Sequence, residues 1–131
     1  MKPYLVILFA AAWIAAASPP SLAAVEYPFS AARLNAEIAR HHPVLIDITA
    51  SWCPVCKVQA AAIQTALMST PAFRNYVVLD VNFDTQKGVV RQLRATSQST
   101  LIFIRYGHEI ARLVGVTDKG EIQAMMQRAE N

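Results

Sequence analysis

Residues 44–57 read Val44-Leu45-Ile46-Asp47-Ile48-Thr49-Ala50-Ser51-Trp52-Cys53-Pro54-Val55-Cys56-Lys57, and they hold both cysteines of the 131-residue chain. Val44 to Ile48 is a short apolar run bounded by Pro43 and Ser51, the pattern of a strand buried on both faces. Pro54 then opens a helical stretch in which Cys56, Ala60, Ile63 and Leu67 recur at helical spacing. That places Cys53 at the mouth of a helix and Cys56 on its core-facing stripe. Asp47 falls in the middle of the apolar strand; it is either desolvated there or, if the strand is half exposed, solvated.

Working outward, Ser30 caps a helix over Ala31 to Arg40, with Leu34 and Ile38 on one face and Pro43 as its stop. Pro71 ends the cysteine helix. Val77 to Val81 is a second strand, Gln86 to Leu93 a shorter helix weakened by Gly88, and Thr100 to Ile104 a third strand. Tyr106-Gly107-His108 reads as a hairpin turn into an edge arm, Glu109 to Leu113, and Thr117 caps a last helix carrying Ile122, Met125, Met126 and Ala129. Val55 and Met68 are read, with Met125 and Met126, as core. The order predicts one α/β domain over residues 24–131. Its mixed sheet has parallel central strands, its last two are antiparallel, and helices cover both faces.

The first 23 residues read differently. Lys2, the 14-residue apolar run Tyr4–Ala17, and the small residues Ser21 and Ala23 form the three-part layout of a secretory signal peptide. The run falls short of the roughly 20 residues a bilayer crossing needs, although an uncleaved anchor is the alternative. Cleavage leaves 108 residues, no membrane span in the mature chain, and a periplasmic or secreted location. The remaining 11 basic and 9 acidic residues are scattered without a basic cluster, which argues against nucleic-acid binding.

Exported domains that use disulfides for stability carry them at wide spacings, because closing a long loop gains most. A Cys-x-x-Cys closes almost none, so this pair is read for its chemistry. A thiol attacks a disulfide as thiolate, and a helix N-terminus favours the anion. Pro54 suits that first turn because it has no N–H to lose. Lys57 adds a positive charge nearby. Cys53 is therefore the accessible attacking thiol and Cys56 the resolving one. A buried Asp47, its pKa raised, can take the Cys56 proton.

With the strand Val44–Ile48, Asp47 six residues before the first cysteine, Trp52-Cys53-Pro54-Val55-Cys56-Lys57, Gly107 and Val114-Gly115 in this order, the chain resembles the thioredoxin family. The resemblance implies a thioredoxin fold and thiol-disulfide exchange, with Trp52 shielding the site, Asp47 as the buried acid, and no cofactor beyond the Cys53–Cys56 pair. It also implies oxidised protein substrates, apocytochromes among them. A reductase is the favoured direction, which in an oxidising compartment needs a membrane electron donor. Pro54-Val55 replaces the Gly-Pro of thioredoxin itself.

Two further departures stand out. The family has a cis-proline in the loop facing the cysteines, where this chain has Gln98-Ser99-Thr100. If that loop holds substrate by its backbone as in the family, the bond before Ser99 is expected to be cis, at ~2.5–4 kcal/mol without proline; the alternative is a trans, open loop through which a metal or partner could reach the thiolates. Asp80 stands where thioredoxin has a Lys near the buried acid. Two other classes of function compete: a thioredoxin-fold metal-binding module using the same two thiolates, which would lack the four ligands of a closed zinc site, and a non-catalytic interaction domain. His41, His42 and His108 are read as surface residues.

Overall fold

The computed structural model describes residues 25–131, so the expected signal peptide and its cleavage site lie outside the described residues. The elements are β1 (Val25–Pro28), α1 (Ala31–Ala39), β2 (Val44–Thr49), α2 (Pro54–Ser69), a 3₁₀ turn (Pro71–Asn75), β3 (Val77–Asn82), α3 (Lys87–Gln92), β4 (Thr100–Arg105), β5 (His108–Val114) and α4 (Lys119–Glu130). They build one five-stranded sheet in the order β1-β3-β2-β4-β5. β1, β3 and β2 are parallel; β4 runs antiparallel to β2, and β5 antiparallel to β4.

The apolar run reads correctly as the central strand. Val44, Leu45, Ile46 and Ile48 are fully buried, because both faces of β2 are covered. Leu45 packs with Ile63 and Ala66 of α2 and Ile122, Met126 and Ala129 of α4. Val44, Ile46 and Ile48 pack on the opposite face with Leu34 and Ile38 of α1 and Val89 and Val90 of α3. Strand alternation thus gives Asp47 the face of Leu45, the face covered by α2.

Tyr106 and Gly107 form a two-residue hairpin turn, both with positive φ (49° and 78°), the twist that joins antiparallel strands without splaying them. A β-carbon on Gly107 would sit 3.5 Å from the Ile38 side chain. On edge strand β5, Arg112 pairs with Glu109 (Nε to Oε1, 2.8 Å). It also donates to the Leu93 carbonyl at 2.9 Å and the Arg94 carbonyl at 3.3 Å, where α3 ends. The guanidinium holds the Glu109 carboxyl below its usual range, first through the hydrogen bond.

Three details depart from the sequence reading. The cap of α4 is Asp118, one residue beyond Thr117; its Oδ1 accepts from Glu121 N at 2.8 Å. Met68 is 77% exposed rather than core, because α2 turns Gln59, Ala62, Ile63 and Ala66 inward and leaves Met68 off that stripe. β1 is a strand that the sequence does not announce, being four residues with Pro28 among them.

Glu37 of α1 carries no signal of its role in the sequence, as a helical Glu ordinarily faces solvent. Its side chain is 2% exposed and meets Arg33 (2.8 Å), Arg40 (3.1 Å) and His42 Nδ1 (2.8 Å). The partners are themselves partly solvated, which weakens each pair. Glu37→Ala would remove the shared acceptor of all three and leave a void beside them. We expect it to cost about 2 kcal/mol, measured as a lowered urea midpoint. An unchanged midpoint would show the cluster to be energetically neutral.

Candidate active site

Cys53 is the N-cap residue of α2, with Pro54 in the first helical position. Its Sγ accepts the Cys56 N–H at 3.1 Å, so an unpaired amide of the helix mouth is spent on sulfur. The two cysteines are joined as a disulfide with their Cα atoms 5.3 Å apart. Each is only 2% exposed. The expected contrast between an accessible Cys53 and a buried Cys56 is therefore absent in the disulfide form: Ala50, Val55 and Phe83 pack around both. A pocket of about 350 Å³ lined by Thr49, Ser51, Cys56, Lys57 and Asn82 approaches the second cysteine.

Trp52 is 57% exposed and donates its indole N–H to Asp84 Oδ2 at 2.8 Å. Pro54 and Lys57 are exposed and Val55 is half-buried. Nothing local in the sequence marks Asp84, which lies 32 positions from the tryptophan it holds.

Asp47 is buried, with 4% exposure, and its Oδ1 has no hydrogen-bond partner among the protein groups. Burial pushes its carboxyl up to about 7, with the neighbouring Asp80 and then Glu26 adding to the rise. Asp80 is the register partner of Asp47 across β2 and β3, so the two carboxylates do share a face. Asp80 is itself pushed up to about 6, by burial first and Glu26 second. Where thioredoxin has a Lys beside its acid, this chain has a second acid.

The loop facing the cysteines takes the second of the two geometries that the sequence leaves open. The described chain contains no cis peptide bond, so the bond before Ser99 is trans and the expected cis geometry is not adopted. Without proline the cis form loses its discount, and the chain instead turns by placing Ser99 at φ 58°, the left-handed region. Ser99 is buried, Gln98 half-buried and Thr100 buried, with Thr100 Oγ1 donating to the Ser97 carbonyl at 2.8 Å. The Ser99 carbonyl accepts from Gly115 N at 2.9 Å and from Gln59 Nε2 at 3.2 Å. The Ser99 hydroxyl oxygen lies 3.3 Å from Cys53 Sγ and 3.6 Å from Cys56 Sγ. Gln59, fully buried, was hidden from a search for apolar stripes because it is polar.

Proline fixes φ near −65°, so Ser99→Pro contradicts the observed geometry. We expect this variant to lose about 1–3 kcal/mol, read as a lowered urea midpoint. A stabilised variant would mean that the loop accepts the cis form at little cost.

Among the described residues, no group of three or more His, Cys, Asp or Glu is placed to hold a metal ion, and no helix is long and apolar enough to cross a membrane. His42 is engaged by Glu37, and His41 lies edge-on to Tyr106 near the hairpin.

The thioredoxin family model matches residues 26–128. The chain belongs to the thioredoxin family. It is 28% identical over 85 residues to thioredoxin of Mycobacterium tuberculosis, spanning 65% of this chain and 72% of that protein. Thioredoxin of Chlamydia trachomatis is 29% identical over 85 residues, 80% of its length. Among solved structures, Trxlp of Edwardsiella tarda superposes with a TM-score of 0.73 at 39% identity, covering 78% of this chain and 98% of that one. Malassezia sympodialis thioredoxin, at 23% identity and TM-score 0.68, shares the fold over 82% of this chain and 91% of its own. With its Cys53–Cys56 disulfide, this thioredoxin-family protein is a thiol-disulfide oxidoreductase whose substrates are disulfides.

Proposed function

We propose that the protein is an exported reductase of protein disulfides, working through Cys53 and Cys56 with no other cofactor. The observation that supports the disulfide-exchange part of the reading is Cys53 capping α2, with a buried Asp47 whose Oδ1 is unpartnered on the strand that leads into the pair. In the reduced protein the Cys53 thiolate attacks one sulfur of a substrate disulfide; a mixed disulfide forms and the other substrate sulfur leaves as thiolate. Cys56 gives its proton to Asp47 and attacks Cys53 Sγ. The intramolecular disulfide closes and the second substrate sulfur departs. Two electrons have passed from the dithiol to the substrate. An acid poised near neutrality matches that proton transfer.

The apolar leader supports export, and export into an oxidising compartment requires that a membrane electron donor restore the dithiol. Equilibration against glutathione tests the direction. A potential near ~−270 mV supports a reductase, and one near ~−120 mV makes the protein an oxidant. Intact-mass measurement of exported material tests the leader: a chain beginning near Ala24 is expected, and one retaining Met1 would mark an anchor.

A further inference from the structure

We propose that Ser99 is a catalytic residue of this protein: its hydroxyl donates a hydrogen bond to the thiolate sulfur during exchange, and Gln59 is the positioning residue that holds it in place. The proposal rests on the disulfide-exchange chemistry of the same site and adds a group to it.

The Ser99 hydroxyl oxygen lies beside both reacting atoms, 3.3 Å from Cys53 Sγ and 3.6 Å from Cys56 Sγ. Neither sulfur of the disulfide carries a proton, so the hydroxyl is the donor. Attack begins with negative charge on Cys53 Sγ, and resolution begins with it on Cys56 Sγ. Rotation of one O–H lets the same group serve both. A hydrogen bond to an anion is about twice as strong as one to a neutral acceptor, so the serine favours thiolate over disulfide. It adds to the helix mouth, whose Cys56 N–H already points at Cys53 Sγ at 3.1 Å.

The serine is held there against its backbone preference. A non-glycine residue at φ 58° needs surrounding contacts to keep it. Gln59, one turn beyond Cys56 on α2, directs its amide at two carbonyls, Ser99 at 3.2 Å and Val116 at 2.9 Å. Gly115 N holds the Ser99 carbonyl from the other side at 2.9 Å. A fully buried amide whose Oε1 has no hydrogen-bond partner is costly as packing. It is accounted for if its task is to fix the loop that carries the hydroxyl. The charged groups on the elements that pack around the pair are Lys57 on α2, beside Cys56, Asp47 on β2, Asp80 on β3, Asp84, bonded to Trp52, and Lys87 on α3, whose ammonium sits over the Phe83 ring that covers the cysteines; residues 95–101 before and into β4 are uncharged.

The test is the pH dependence of Cys53 alkylation in the reduced full chain for Ser99→Ala, Ser99→Gly and Gln59→Leu. Alanine and glycine both delete the hydroxyl, but glycine is at ease at positive φ and alanine is not. Both are expected to move the Cys53 titration up by about one pH unit, a roughly tenfold loss of thiolate at a given pH below it. The shift should be equal in the two, although the glycine variant is the more stable. Gln59→Leu should give part of this shift, and none in addition once Ser99 is alanine. An unmoved titration in both serine variants overturns the catalytic assignment. So does a shift that follows their stability rather than the missing hydroxyl. A Gln59→Leu shift that adds fully to that of Ser99→Ala overturns the positioning role. Titration requires no turnover, so the result is independent of whether the protein runs as a reductase.

Discussion

A Cys56→Ser variant is expected to accumulate as a mixed disulfide with its substrate, linked through Cys53, while catalytic turnover falls to the uncatalysed level. The chain contains two cysteines, so once Cys53 has attacked, only Cys56 can release it. A serine hydroxyl at that position is too weakly acidic to attack sulfur. Cys53→Ser should be equally inactive yet form no adduct, because Cys56 lies one turn inside α2 and lacks the N-cap position. Non-reducing electrophoresis and intact mass after mixing with a disulfide-bonded protein distinguish the two. Adducts forming through Cys56 instead would reverse the assignment of attacking and resolving thiols.

Asp47→Asn is expected to have the second largest effect, on both stability and rate. The Asp47 carboxyl titrates near 3.8 unfolded and about 7 folded, because burial first, and Asp80 next, disfavour its charged form. A raised folded value means that the native state binds the proton more tightly. Stability from this group is therefore fully present below pH ~4 and declines as pH rises to ~7, where about 4 kcal/mol has been lost. Asparagine removes that slope. It keeps an unpartnered buried polar group, at about 1–3 kcal/mol, so a net gain of about 2 kcal/mol at pH 8 is expected. At pH 4 the variant should be no more stable than the wild type. Urea unfolding at both pH values measures the difference. In kinetics, resolution by Cys56 should slow while initial attack by Cys53 does not. Parallel stability curves for the two proteins would show that Asp47 is not the titrating group.

The fold was legible because its signals are local. Val44–Ile48 is apolar at every position but one, Pro43 and Pro71 stop helices, and Tyr106-Gly107 supplies a turn, so strand, helix and hairpin followed from short windows. Asp47 was legible for the same reason, as the one charge in an apolar run. The rest of the site is built by contacts across long separations. Ser99 reaches the cysteines over more than 40 positions, and nothing local distinguishes Gln59 from a solvated helical glutamine. Asp80 could be aligned with the acid but not shown to face it until the β2–β3 register was known. Before Ser99 the sequence leaves cis and trans both open, with the family resemblance on the side of cis and the missing proline on the side of trans; a serine at positive φ gave the chain another way round the bend.

The Arg112 latch has a consequence for how this molecule meets its own copies. β5 is an outer strand of the sheet, and such a strand invites another chain to extend the ladder. Here Arg112 commits its guanidinium to Glu109 and to two carbonyls at the end of α3. An incoming strand would meet fixed charge in the middle of the rim, and accommodating it would mean breaking up that arrangement. This thiol-disulfide oxidoreductase thus guards one rim of its sheet against polymerising with its own copies.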